Sequence, residues 1–145
     1  MGNTKDVGDR TESAVLAALI ARGCSVAVPF GDNDRYDLVA EVSGSLHRVQ
    51  CKTGWIEGEC IRFKTASETT VDGEATAVDY GENIDVFAVR CRDTDSLYWV
   101  PRQDVGRKNT YLRRGEPEID HPSVNRAAGY ALSKRVPTPD AADSE

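Results

Sequence analysis

The sequence has little of what a membrane-spanning, secreted or zinc-bound protein needs. No apolar run approaches the roughly 20 residues that cross a bilayer. The longest, Ala14 to Ala21, is flanked by charged residues and lacks the layout of a signal peptide. None of the four cysteines forms a C-x-x-C pair and neither histidine lies near one, which argues against a zinc site. We therefore expect reduced thiols and a cytoplasmic protein without membrane contact.

The chain also lacks the positive charge of a typical nucleic-acid-binding protein, because its formal net charge is −6. Its cations are nevertheless unevenly placed. The segment from Gly106 to Gly115 carries Arg107, Lys108, Arg113 and Arg114 and no acidic residue. This basic segment is our first candidate for contact with DNA phosphates, and an idle exposed loop is the alternative.

A length of 145 residues suits one domain with an ordinary core. We predict that this domain covers residues 1–134. From Arg135 to Glu145 the chain has two prolines, several acids and no large apolar residue after Val136. That composition predicts a disordered acidic tail.

The order of the predicted elements indicates an α/β or α+β domain with a mixed sheet. A first helix is predicted from Asp6 to Ala21, with Asp6 or Thr4 as its cap and Gly23 at its end. The predicted strands are Cys24–Phe30, Arg35–Val42, Leu46–Lys52, Ile61–Phe63, Ile84–Cys91 and Leu97–Val100. A helical turn or loop is expected from Pro101 and a short helix within Val124–Leu132, whereas Glu68–Gly81 has no clear periodicity.

One acidic residue of the first helix is out of place for a solvent-exposed side chain. At 100° per residue, Val15, Leu16, Leu19 and Ile20 fall on one arc, and Glu12 falls near the middle of it. Burying a carboxylate there costs several kcal/mol unless something compensates for it. Glu12 is therefore a candidate functional residue.

A hairpin through Gly44 brings a second group of polar residues together. Alternation along the strand places Arg48, Gln50 and Lys52 on one face, and the hairpin brings Asp37 beside them. Carboxylate and amide oxygens are the ligands that Mg²⁺ and Mn²⁺ prefer, and the backbone carbonyl of Cys51 can add another. Such an ion polarises a phosphate, and a lysine can orient water and offset developing charge.

Here the chain resembles the PD-(D/E)XK nucleases, which carry an acid and then an acid-x-Lys on paired strands, often with a helix glutamate. The matching residues are Glu12, Asp37 and Gln50-Cys51-Lys52. The resemblance is closest to the branch of group I intron homing endonucleases with a Gln-x-Lys motif, and archaeal Holliday-junction resolvases come next. It covers about residues 5 to 102, including Ile84–Val89 and Tyr98–Pro101.

The resemblance implies a restriction-endonuclease-like core, with a mixed central sheet flanked by helices. It implies a DNA endonuclease that uses Mg²⁺, for which Mn²⁺ can substitute. Its catalytic residues are then Glu12, Asp37, Gln50 and Lys52, and its metal ligands Asp37, Gln50, Glu12 and Cys51. The departure is Gln50, where most of the superfamily has Asp or Glu, so the site carries one negative charge fewer.

Several alternatives stay open. Asp37 can be a solvated strand residue, Lys52 an edge-strand residue that prevents aggregation, and Trp55 a core residue. Arg62 and Lys64, just beyond the Gln-x-Lys strand, are DNA-contact candidates or part of a solvated face. A catalytically silent DNA-binding module, a Holliday-junction resolvase and a partner-binding subunit are the competing functions. Because two cuts require two sites, we expect a homodimer or higher homo-oligomer.

Overall fold

The computed structural model describes residues 4–31, 34–71, 74–79, 83–115 and 125–138. Two helices and nine strands lie in these ranges: α1 (Thr4–Ala21), β1 (Val26–Ala27), β2 (Leu38–Val42), β3 (Ser45–Glu57), β4 (Cys60–Lys64), β5 (Ala66–Val71), β6 (Glu74–Asp79), β7 (Val86–Cys91), β8 (Leu97–Pro101), β9 (Asn109–Arg113) and α2 (Leu132–Arg135). Short 3₁₀ turns cover Arg102–Asp104 and Ala127–Tyr130.

The long strand β3 organises a seven-stranded sheet. Residues 45–49 of β3 pair with β2 in antiparallel fashion, residues 49–54 pair with β7 in parallel, and residues 55–57 pair with β4 in antiparallel fashion. Strands β1, β8 and β9 extend the sheet on β2, β7 and β4, and β5 pairs with β6 in a separate hairpin. The prediction of a mixed sheet in an α+β domain is confirmed.

Helix α1 packs on one face of the sheet through a stripe of spacing four. Thr11, Val15 and Leu19 are the buried residues of the helix. Ile20 is 57% exposed, so the buried face of α1 is displaced from the predicted apolar arc by about half the width of that arc. Glu12 consequently flanks the buried stripe and is half-buried.

The ends of α1 differ in how well the sequence predicted them. The helix already includes Thr4, so Asp6 lies in its first turn and is not its cap. At the other end, Cys24 N–H donates to the Leu19 carbonyl and Gly23 N–H to the Ile20 carbonyl. Gly23 has a φ of 85°, so this is the Schellman ending that glycine favours, as predicted.

Each face of the sheet carries its own apolar core. On the α1 face, Val15 and Leu19 pack with Leu38, Val49 and Leu132. On the opposite face, residues of β4, β7, β8 and β9 pack with the 3₁₀ turn, and the largest of them are Phe63, Phe87, Ile61 and Leu112. Because β3 contributes alternate residues to the two cores, its side chains at 50 and 52 lie on the face opposite α1.

Other differences from the predicted elements follow from distant pairing. Strand β1 has only two residues, whereas β3 continues to Glu57 because β4 pairs with its end. The segment without periodicity contains the β5–β6 hairpin. The tail was predicted to begin at Arg135, but Arg135 ends α2 and the side chain of Val136 is fully buried. The rest of the predicted tail, residues 139–145, lies outside the described residues.

Within the described ranges, no helix is long and apolar enough to cross a membrane.

Candidate active site

The β2–β3 hairpin places Asp37 against the Gln-x-Lys segment. Ser43 and Gly44 form its tight turn with φ angles of 52° and 83°. Asp37 precedes β2, and its N–H donates to the Val49 carbonyl at 2.8 Å. Its carboxylate Oδ2 in turn accepts the N–H of Cys51 at 2.8 Å. Two hydrogen bonds therefore hold the acid at the start of β2.

A gap in the sheet exposes the β3 backbone beside this carboxylate. Along β3 the odd-numbered backbone groups face β2 and β4, and the even-numbered groups face β7. Pairing with β2 ends at Val49 and pairing with β4 begins at Trp55, so no described strand pairs with this edge between them. The carbonyl of Cys51 points into the gap, on the same edge as Asp37.

The charges of Glu12, Asp37 and Lys52 act on one another. Burial raises the pKa of Glu12, and the negative charge of Asp37 raises it further. Burial also raises the pKa of Asp37, against the opposing effects of the Cys51 N–H and the Lys52 charge. The thiol of Cys51 has a raised pKa because it is buried and faces both acids. Electrostatic interactions thus couple Glu12 to Asp37 and Asp37 to Lys52. That these residues form one site stays a prediction.

Gln50 supplies an oxygen atom that the fold leaves unused. Within the described residues its Oε1 is buried and has no hydrogen-bond partner. An unsatisfied buried carbonyl oxygen costs about 1–3 kcal/mol, which a cation would offset. The neighbouring acids and the Cys51 carbonyl are further hard oxygen donors, so the residues present fit Mg²⁺ or Mn²⁺.

The same region is unsuited to a metal that needs several charged or soft ligands. The described residues contain no group of three or more His, Cys, Asp or Glu side chains able to hold an ion. An ion here would depend on two carboxylates and neutral oxygens.

Sequence reasoning missed a polar network that ties α1 to the sheet next to Glu12. Thr11 is 1% exposed, and its hydroxyl lies 2.6 Å from that of Thr53. Arg90 donates to Thr11 Oγ1 at 3.3 Å and forms an ion pair with Asp95 at 2.9 Å. The spacing of four residues between Thr11 and Val15 could have predicted that Thr11 is buried, but the predicted apolar arc did not include it.

The predicted DNA-contact residues lie mainly on β4, on β9 and in the turn before β9. Arg107 and Lys108 are exposed in that turn, and two buried threonines hold its backbone. The Thr65 hydroxyl donates to the Gly106 carbonyl at 2.7 Å, and Gly106 N–H donates to Thr110 Oγ1 at 2.8 Å. Strand β9 forms part of the segment, which is therefore not a loop throughout, and its contact with DNA stays a prediction.

Neighbouring acids engage two of the predicted DNA-contact arginines. Arg113 forms an ion pair with Glu59 of the β3–β4 turn. Arg62 pairs with Glu57 at 2.9 Å and donates to Asn109 at 3.1 Å. Lys64 and Arg114 are exposed at the ends of their strands. The acids that offset this basic region lie close to it in space but far from the basic segment in sequence.

This arrangement agrees with a family-model match: the PD-(D/E)XK endonuclease model matches residues 2–133. The chain belongs to the PD-(D/E)XK endonuclease family. Among solved structures it is similar to a bacterial homing endonuclease, I-Ssp6803I, with a TM-score of 0.75 and 24% identity. The alignment covers 99% of this chain and 98% of that one, which confirms the restriction-endonuclease-like fold. No curated protein sequence matches the chain significantly.

Membership of the PD-(D/E)XK endonucleases makes this chain a nuclease by family. The assignment of Asp37 and the Gln50-Cys51-Lys52 segment to the acid and the (D/E)-x-K of the family name stays a prediction from the sequence.

Proposed function

We propose that the protein is a metal-dependent DNA endonuclease whose site is formed by Glu12, Asp37, Gln50 and Lys52. The observation that carries the proposal is the buried Gln50 Oε1, which has no partner among the described residues and lies on the strand that Asp37 contacts. A fold that was only a scaffold would not need to bury an unsatisfied amide oxygen beside two acids of raised pKa.

Each residue has a distinct proposed role. Asp37, held by the Cys51 N–H, would be the principal anionic ligand, with the Gln50 amide and Cys51 carbonyl oxygens as neutral ligands. Glu12 would add the second negative charge from α1. When bound, Mg²⁺, or Mn²⁺ in its place, would polarise the phosphate and make water a better nucleophile.

Lys52 acts on the reacting groups as a compact cation. Its charge already lowers the pKa of Asp37, so it lies within electrostatic reach of the site. In the transition state it would hold the attacking water and offset the charge that develops on the phosphate. This role requires a position near the scissile phosphate but little contribution to folding.

The substrate is proposed to be duplex or branched DNA, cut by a homodimer or higher homo-oligomer. One chain carries one such site, and cleavage of both strands requires two sites related by symmetry. A Holliday-junction resolvase and a site-specific endonuclease share this requirement. Cleavage of a four-way junction in preference to linear duplex would identify the resolvase.

The proposal is tested by incubating the purified protein with linear, supercoiled and four-way junction DNA while Mg²⁺ or Mn²⁺ and salt are varied. We expect nicking or cutting with either ion and none in EDTA. Asp37→Asn should abolish cleavage under the same conditions. Cleavage that persists in EDTA, or in Asp37→Asn, would contradict the proposal.

The second candidate is a catalytically silent DNA-binding module of the same fold. Gln50 favours it, because a site with two carboxylates holds a cation less tightly than one with three. DNA binding without cleavage of any substrate with either ion would support this module. Absence of DNA binding as well would favour a partner-binding subunit.

A further inference from the structure

Past the candidate site, a row of stacked cations and aromatic rings runs across the sheet through Trp55 of β3. The Arg62 guanidinium lies 5.4 Å from the centre of the Trp55 ring and 5.7 Å from that of Tyr111. The Arg92 guanidinium lies 5.9 Å from the same Trp55 ring. We call these four residues, Arg92, Trp55, Arg62 and Tyr111, the arginine–aromatic row.

The row follows from strand register. Trp55 pairs directly with Arg62, and Arg62 pairs with Tyr111, so their side chains stand side by side across β3, β4 and β9. Arg92 reaches the Trp55 ring from the turn after β7, where its N–H donates to the Gly54 carbonyl at 2.9 Å. With strands about 4.8 Å apart, the row extends roughly 15 Å across the sheet.

Trp55 is neither a core residue nor an open stacking platform. The side chain of Ile56 packs on the core opposite α1, so the neighbouring side chain of Trp55 points away from that core. Trp55 is also only half-buried. Two guanidinium groups lie close to its ring, so it has little surface left for a nucleic-acid base. Its geometry suits it to hold two arginines in place.

We propose that the arginine–aromatic row binds the phosphate backbone of the DNA substrate next to the cleavage site. This proposal rests on the function proposed above. Trp55 is three residues beyond Lys52, which is about 10 Å along an extended strand. That distance equals about three base-pair steps of one DNA strand. Trp55 and Lys52 are an odd number of residues apart, so the row lies on the α1 face of the sheet and Lys52 projects from the other face. The row can contact the same duplex where that duplex crosses the open edge of β3 between β2 and β4.

Charge supports phosphate as the ligand. The guanidinium of Arg92 is exposed, and Lys64 adds a further exposed cation on the same strand as Arg62. Arg62 already holds an oxyanion, since Glu57 accepts its N–H at 2.9 Å with a side chain that is 46% exposed. A DNA phosphate would take the place of that carboxylate, so Glu57 is expected to compete with DNA for Arg62.

The test measures binding of a fluorescent random-sequence duplex of about 30 base pairs in EDTA, where no cleavage is expected, from roughly 50 to 200 mM salt. Arg92→Ala should weaken binding roughly fivefold to tenfold and lower the salt slope by about 0.9, the value of one phosphate contact. Trp55→Leu keeps every charge but should weaken binding severalfold. Glu57→Gln should strengthen binding severalfold.

Arg102→Ala is the matched control. Arg102 is an exposed arginine near the β2–β3 turn. That turn lies roughly 30 Å from Trp55 along β3. Replacement of Arg102 should therefore leave the affinity and the salt slope unchanged. If wild-type protein binds the duplex and Arg92→Ala and Trp55→Leu bind like Arg102→Ala, the row is not a DNA surface. If wild-type protein binds no duplex, this proposal fails, and the function proposed above is then tested separately by binding and cleavage of the four-way junction.

Discussion

At the residue scale, the acids of the site are expected to cost the protein stability. Burial and the charge of Asp37 raise the pKa of Glu12 above its ordinary value of 4.5. A carboxyl group with a higher pKa in the folded state binds its proton more tightly there, so its ionisation destabilises the fold. That cost develops as the pH rises from the ordinary to the raised pKa and is complete once the pH exceeds the raised pKa.

Glu12→Gln should therefore stabilise the metal-free protein. In EDTA at pH 7 we expect its Tm to rise by about 1–3 °C, a small effect because Glu12 is well screened by solvent. The difference should vanish below the ordinary pKa of glutamate. Glu41→Gln, at an exposed position of β2, is the control and should change the Tm little. A lower Tm for Glu12→Gln at pH 7 would show that other groups already stabilise the ionised Glu12 in the metal-free fold.

Gln50 sets how strongly the site can hold a cation. Gln50→Glu adds a third carboxylate, so Mn²⁺ should bind roughly tenfold more tightly in a calorimetric titration. The same change should lower the Tm in EDTA, because the new charge faces Asp37 and Glu12 across a half-buried site. Equal or weaker Mn²⁺ binding by the variant would mean that the amide oxygen of Gln50 does not point at a cation.

At the scale of elements, Gly54 marks where β3 passes from β7 to β4. A Cβ atom there would lie 3.0 Å from the Arg62 carbonyl oxygen, 3.1 Å from Val89 and 3.2 Å from Ile61. Gly54→Ala should cost about 1–3 kcal/mol in urea unfolding, because backbone on one side cannot move aside cheaply. Gly8→Ala is the contrasting change. Apart from its chain neighbours and the backbone of α1 itself, no atom of the described residues lies within 4 Å of a Cβ placed there, so the change should stabilise the protein by about 0.5–1 kcal/mol. A neutral Gly54→Ala would contradict this packing.

The elements also show which parts of the site the sequence could predict. Asp37 and Lys52 were predicted together because one hairpin, turning at Gly44, sets their register. Glu12 was singled out by its place on the predicted apolar arc, and it is half-buried although that arc was misplaced. The Arg90–Thr11 contact could not be predicted, because it joins residues 79 positions apart whose pairing depends on the complete sheet.

At the scale of the whole molecule, an acidic chain must bind DNA through a restricted surface. The net charge of −6 opposes association with DNA everywhere except where cations are concentrated. The charge pattern of the sequence indicates the basic segment but not the acids that neutralise it. Glu57 and Glu59 contact Arg62 and Arg113 only once β4 and β9 have paired. The balance of charge on this surface is therefore a property of the fold.

Lys52→Ala shows whether the gap between β2 and β4 is a catalytic site. Lys52 is half-buried beside Asp37, and its loss should leave folding and duplex affinity nearly unchanged. The matched control is Lys134→Ala, at an exposed lysine of α2. Single-turnover cleavage with saturating Mg²⁺ should fall by roughly 10²-fold or more for Lys52→Ala and stay at the wild-type rate for Lys134→Ala. Equal rates for Lys52→Ala and wild-type protein would contradict a catalytic role of this gap and place the active site elsewhere.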